Sequence, residues 1–148
     1  MKSVLISIQP KWCELIASGK KTVEVRKTRP KLETPFKCYI YQTKGHTNIG
    51  GCGFSILGRY RLGKVIGEFV CVNISKGTSQ MGSCLSMQEI SEYANGKEVY
   101  GWHISNLVIY DKPRELREFT RLRETKFGYE PVKITRPPQS WFYVESEV

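Results

Sequence analysis

The sequence predicts an α+β fold: a mixed β-barrel of about six strands carrying two short helices. Three observations lead there. Several segments of five to ten residues alternate apolar with polar side chains in the strand manner. Only two stretches carry paired helix start and stop signals, too few for a parallel sheet of repeating βαβ units. The chain has 148 residues, 40% hydrophobic and 25% charged, the size and composition of one globular domain, expected here to span residues 1–148.

Taken in order, Val4 to Ile8 is a short apolar strand. Pro10 then opens a helix at the one position where a missing amide hydrogen costs nothing. Trp12, Leu15 and Ile16 recur at helical spacing and are expected to face the core, with Trp12 packed under the barrel. Gly19 supplies a left-handed cap, so the helix covers residues 10–18. From Lys21 to Lys27 the pattern is that of a strand, with Val23 and Val25 on one side and Thr22, Glu24 and Arg26 on the other. A proline-bounded basic connection leads to Phe36–Thr43, rich in aromatic and β-favouring residues.

Residues 44–58 hold five glycines and read as a loop. They lack the lysine and following helix of a phosphate-cradling P-loop. Val65 to Ile74 is strand-like, and Ser86-Met-Gln-Glu89 is a capping box for a short helix through Tyr93 that stops near Gly96. Trp102 to Tyr110 reads as a strand ended by Asp111-Lys112-Pro113. Residues 113–122 suit either a helical turn or a crossing loop. Pro137-Pro138 excludes a helix and launches a last strand from Ser140 to Glu145.

Composition narrows the functional classes. No apolar run reaches the ~20 residues of a membrane span, and the first residues turn polar too soon for a signal peptide, so a cytoplasmic location is expected. Cys13, Cys38, Cys52, Cys71 and Cys84 stand at least 13 residues apart, which gives no zinc or redox spacing. Cys13, Cys38 and Cys71 fall in apolar segments as core residues. Neither a metal nor another cofactor is expected, since His46 and His103 lie far apart in unlike segments. Net charge is +9, and residues 1–74 carry 13 Lys/Arg against 4 Asp/Glu while residues 75–148 carry 10 of each. Lys20, Lys21, Arg26, Lys27, Arg29, Lys31 and Lys37 concentrate that excess, favouring a phosphate-bearing partner, although a solvated basic face has the same composition.

Within this stretch, Lys21, Glu24 and Arg26 place an amine, a carboxylate and a guanidinium around one strand entrance. Glu24 and Arg26, two residues apart, share a face and stand roughly 6.5–7 Å from each other. The guanidinium suits bidentate anion binding, and a desolvated Lys21 suits a base. A surface ladder of ion pairs has the same spacing. Glu68 shares the parity of Ile66, Val70 and Val72, where an acid is costly unless paired; it is expected to pair with Lys21 or Arg26, or to be exposed at an edge or bulge. Tyr41, Trp102, His103, Gln139, Ser140 and Trp141 lie in or at the entries of strands, where cleft residues are found; the aromatics among them suit base stacking.

These residues resemble a known family. Gly19-x-Lys21-x-x-Glu24-x-Arg26 between a first helix and a second strand matches the pattern of ASCH (activating signal cointegrator homology) domains of the PUA-like superfamily. Ile6-Ser-Ile-Gln-Pro10, Pro35-Phe-Lys-Cys-Tyr-Ile-Tyr41, Val65-Ile-Gly-Glu-Phe69, Gly101-Trp-His-Ile104 and Pro137-Pro-Gln-Ser-Trp141 are similar to those of small phage and bacterial members. The resemblance implies a PUA-like barrel whose cleft meets nucleic acid, RNA in preference to DNA, or a nucleoside or nucleotide. The expected contacts are Lys20, Lys21, Arg26, Lys27, Arg29, Lys37, Tyr41, His103, Gln139, Ser140 and Trp141. It also implies an alternative: some relatives are amidohydrolases of N4-acetylcytidine using a lysine, a threonine and a glutamate, and others are ribonucleases. Lys21 fits the lysine, with Glu24 and Glu68 as the acids, but Glu24 occupies the threonine position. A third reading makes residues 113–126 the surface of a protein-interaction adaptor.

Overall fold

A computed structural model describes residues 2–45 and 57–146. Among these residues twelve elements follow one another: β1 (Lys2–Ile8), α1 (Pro10–Ala17), β2 (Val23–Arg26), β3 (Phe36–Gln42), a 3-10 turn (Arg59–Arg61), β4 (Lys64–Lys76), α2 (Met87–Ala94), β5 (Tyr100–Arg114), a second 3-10 turn (Leu116–Glu118), β6 (Thr120–Thr125), β7 (Gly128–Lys133) and β8 (Trp141–Glu145). Six strands form one curled sheet in the order β2-β5-β4-β3-β1-β8, and β6 and β7 form a separate hairpin. Only β1 and β3 run parallel; the other pairs in the sheet are antiparallel. The result is a half-barrel with two helices, the α+β PUA-like architecture expected.

Alternation along the strands sorts the core into two faces. Val4, Ile6 and Ile8 of β1 and Cys38 and Ile40 of β3 join Ile66, Phe69, Trp102 and the α1 residues Cys13 and Ile16. On the other face Leu5, Tyr39 and Tyr41 pack with Val65, Phe119, Ile134 and Val144. A third cluster sets Ile90 and Ala94 of α2 against Val25 and Val99. Pro10 stands in the first turn of α1, and Gly19 beyond it has φ +81°, a conformation glycine adopts without steric cost. The capping box at Ser86 and Glu89 is formed, with Asn95 left-handed at the other end of α2.

The structure corrects or refines three expectations. Strand β5 continues through Asp111-Lys112-Pro113 to Arg114. Its pairing with β2 covers only residues 100–103 and the ladder to β4 is irregular between Val65 and Gly67, so Pro113 falls where no ladder bond is demanded of it. Residues 113–122, read as a helical turn or a crossing loop, hold the end of β5, a 3-10 helical turn at Leu116–Glu118 and the start of β6. Trp12 packs against the core as expected but is only partly buried, the fully buried positions of α1 being Cys13 and Ile16. Of the predicted loop 44–58, residues 46–56, with His46 and Cys52, lie outside the described residues. Among the described helices none is long and apolar enough to cross a membrane.

Candidate functional site

A cavity of about 920 Å³ opens where the ends of β1 and β3, strand β2, α2 and the segment before β8 meet. Its wall includes Lys21, Glu24 and Arg26 of the sequence motif, with Gln139 and Ser140 from the approach to β8. Trp12, Thr43 and Tyr93, not singled out as site residues from the sequence, also line it.

Lys21 is 1% exposed. The segment before α2 folds over it: Gly82 accepts backbone bonds from Thr22 (2.8 Å) and Val23 (3.1 Å), and Lys21 Nζ donates to the Ser83 carbonyl at 2.5 Å. The ammonium also stands 4.9 Å from the centre of the Trp12 ring. Burial pulls the Lys21 pKa below the usual lysine range, with Glu24 pulling the other way. Glu24 is 5% exposed. One of its oxygens, Oε1, accepts from the Val25 amide at 3.2 Å and lies 3.9 Å from Arg26 Nε. The other, Oε2, is buried with no hydrogen bond among the described residues, as is the Thr43 hydroxyl. Gln42 Nε2 is a third such atom, but it does not line the cavity.

Arg26 has a different task from the anion grip its residue type suggests. Its Nη2 donates to the Ser7 carbonyl at 2.6 Å and Nη1 to Ser140 Oγ at 3.0 Å. Strand β2 is one edge of the sheet, whereas Ser7 and Ser140 belong to the opposite side. The guanidinium therefore clasps the two margins of the open half-barrel across the cavity wall.

The remaining predicted residues divide. Lys27 is exposed above the ring of Tyr93, Nζ at 4.7 Å from its centre, and so stands at the cavity rim. Lys20 and Arg29 are exposed and outside the lining. Lys37 and Glu68 pair with each other at 2.8 Å, and Glu68 also accepts from Tyr110 Oη at 3.0 Å. Glu68 therefore does not reach Lys21 or Arg26. A register irregularity between Glu68 and Val70 agrees with the bulged alternative. Tyr41 is 5% exposed and Trp102 fully buried, which removes both from stacking. Trp141 is held edge-on to Trp102 and Tyr143 and donates to Thr28 Oγ1 at 2.9 Å. His103 Nε2 lies 2.9 Å from Ser75 Oγ. That hydroxyl gives its proton to Gln80, so the ring nitrogen is the donor in a structural chain. Among the described residues no three His, Cys, Asp or Glu gather as a metal site.

The basic excess of the sequence does not line the cavity. Lys21, Arg26 and Lys44 are balanced there by Glu24, Glu89 and Glu92, because α2 brings acids from the second half of the chain. The walls therefore offer balanced charge and hydrogen-bonding groups rather than a purely cationic cradle.

Comparison with known proteins fits this geometry. The family model of the ASCH domain matches residues 6–138. The crystal structure of ASCH from Zymomonas mobilis superposes with a TM-score of 0.57 at 22% identity, covering 97% of this chain and 87% of that one. A mutant form of the same protein gives 0.57 at 20% identity, covering 98% and 91%; at these identities the likeness concerns the fold. No curated protein matches. With the family pattern spanning most of the chain and its motif residues gathered at one cavity, the chain belongs to the ASCH domain family.

Proposed function

We propose that the cavity binds a single nucleobase, presented by a nucleic acid strand, RNA in preference to DNA, or by a free nucleotide. The observation that carries this reading is the Glu24 carboxylate, buried in the cavity wall with Oε2 unpartnered among the described residues. A carboxylate oxygen without a donor in a buried place costs roughly 1–3 kcal/mol or more. A base offers the amino or imino N–H that it lacks, while Lys21 beside it takes a ring carbonyl. Thr43 Oγ1 adds a hydroxyl that both donates and accepts, and Trp12 and Tyr93 add aromatic surface. Phosphates then lie outside, near Lys27 and Lys20.

Calorimetry with nucleosides and mononucleotides, and anisotropy with short labelled strands at low salt, test this reading. Wild type is expected to bind with an affinity that falls as salt rises for strands, and Glu24→Gln to lose at least about tenfold. Absence of nucleoside and mononucleotide binding would refute the cavity reading, and absence of salt-sensitive retention of RNA or DNA would refute its nucleic-acid form.

A second reading, hydrolysis of a nucleoside amide or of RNA, draws on the desolvated Lys21, whose lowered pKa suits a base. Glu24 stands where the amidohydrolase relatives have threonine, yet the cavity regains a hydroxyl from Thr43 on a different segment. Turnover of N4-acetylcytidine or single-stranded RNA that disappears in both Lys21→Ala and Thr43→Val favours this reading. Unchanged substrates after prolonged incubation dispose of it.

A further inference from the structure

The hairpin β6–β7 presents aromatic side chains that no core uses. Phe127 at its turn is 99% exposed and Tyr129 is 69% exposed. The turn is pinned: Thr125 Oγ1 donates to the Gly128 carbonyl at 2.9 Å and accepts from the Phe127 amide at 3.2 Å. Phe127 is thus held out by a defined loop.

Between the hairpin and β8 lies a second cavity of about 350 Å³, lined by Lys2, Arg121, Leu122, Tyr129, Phe142 and Tyr143, with two further β8 residues. Arg121 stacks its guanidinium 4.3 Å from the centre of the Phe142 ring, and Lys2 Nζ stands 5.0 Å from that of Tyr143. Residues 120–133 carry Arg121, Arg123, Lys126 and Lys133 against Glu124 and Glu130. Cations laid over aromatic faces beside exposed rings match the parts of a single-strand platform.

We propose that this groove and the hairpin form a second contact for single-stranded nucleic acid, with Phe127 and Tyr129 stacking on bases and Lys2 and Arg121 meeting phosphates. The proposal rests on the nucleobase reading of the first cavity. Both sites lie along β8: Gln139 and Ser140 at its start line the first, and Phe142 to Glu145 line the second. From Ser140, Phe142 lies two residue steps away and Glu145 five, about 7 to 17 Å at ~3.4 Å each. A stacked strand covers the longer distance in about five nucleotides at ~3.4 Å per base. A three-nucleotide strand therefore stops short of the far end of the second site, and a longer one engages both sites in full.

The test uses the full chain at low salt, with anisotropy on labelled oligouridylates and oligothymidylates of three, six and twelve nucleotides and calorimetry with a mononucleotide. The twelve-mer is expected to bind at least about tenfold tighter than the three-mer, since each stack contributes about five- to 150-fold. The exposed double variant Phe127→Ser/Tyr129→Ser is expected to remove that advantage and leave mononucleotide binding unchanged. Arg121→Gln is expected to lower the salt slope by about one. Equal twelve-mer affinity in the double variant overturns the second contact. Loss of mononucleotide binding alone, with hairpin dependence kept, overturns the cavity reading instead. Sedimentation completes the test: a wild-type dimer that the double variant dissociates, with oligonucleotide affinity unaltered, assigns the patch to contact between copies and overturns the proposal.

Discussion

Replacing Arg26 by methionine tests the clasp directly. The guanidinium's two short charge-assisted bonds go to the Ser7 carbonyl at 2.6 Å and to Ser140 Oγ at 3.0 Å, with a longer one to the Ser140 carbonyl at 3.5 Å, and its side chain is 13% exposed. Each such bond contributes ~1.5–3 kcal/mol, part of it offset by desolvation of the cation. Removal also leaves the buried Glu24 carboxylate without its nearer guanidinium, a change that costs ~3–5 kcal/mol where one partner of a buried pair is deleted. We expect Arg26→Met to destabilise by about 3 kcal/mol, which lowers Tm by roughly 6–12 °C in a chain of this size. Arg26→Lys is expected to recover little, because one ammonium does not span the two acceptors in fork geometry. Urea titrations of wild type, Arg26→Met, Glu24→Gln and the double variant complete a cycle. Coupling above ~0.5 kcal/mol is expected from the shared carboxylate. A urea midpoint for Arg26→Met equal to wild type refutes the clasp and returns Arg26 to the list of ligand-binding candidates.

Three further predictions concern the folded chain. Burial raises the thiol pKa values of Cys13 and Cys38, and that of Cys71 to about 11, so above pH ~8.5 the unfolded chain loses these protons while the folded one keeps them. Stability should then fall by ~1.4 kcal/mol per pH unit per thiol. Lys21 works in the opposite sense between its lowered pKa and ~10.4, so melts in reductant should show a net loss above pH 9, steeper in Lys21→Met; a flat profile contradicts the assignment. At Gly67 an added Cβ would stand 2.3 Å from the Val108 carbonyl and 3.1 Å from Ile109 Cα, both backbone; Gly67→Ala is expected to cost ~2–3 kcal/mol, and a melt unchanged within 2 °C would contradict this. Thr43→Val, which removes a buried hydroxyl without a partner, should leave the free protein equal or more stable by ~1 kcal/mol while weakening nucleoside binding. Loss of stability would place the hydroxyl in the fold's own network.

What the sequence made legible was local. Pro10 with Gly19, and Ser86 with Glu89, define helix ends through hydrogen-bond and φ requirements that act within a few residues. The strands β1 and β3 are equally plain as short apolar and aromatic runs, because each is buried against two different clusters. The hairpin escaped notice since Thr120–Thr125 and Gly128–Lys133 are mostly exposed and carry little apolar alternation. Glu68 found Lys37 on the adjacent strand β3, a cross-strand choice that parity within β4 cannot reveal. Trp12 has core spacing but sits at the margin of the α1 stripe, where it meets the Lys21 ammonium. The linear charge excess likewise concealed that α2 would carry Glu89 and Glu92 to the wall opposite Lys21.

The motif's three polar side chains divide their labour by burial and partner. Arg26 has its guanidinium committed to backbone and serine oxygens, so its bonding capacity serves the sheet. Lys21 is committed once, to Ser83, and an ammonium has two donors to spare. Glu24 has one oxygen committed and one not, and Thr43 contributes a further uncommitted atom to the same wall. Buried polar atoms without partners are costly, and a fold that needed only stability would replace them with apolar groups of similar shape. Their gathering at one cavity, beside a lysine whose burial disfavours its own charge, supports the proposed ligand that enters from solvent. Because positive and negative side chains are equal in number there, we propose a hydrogen-bonding ring in preference to a bare anion.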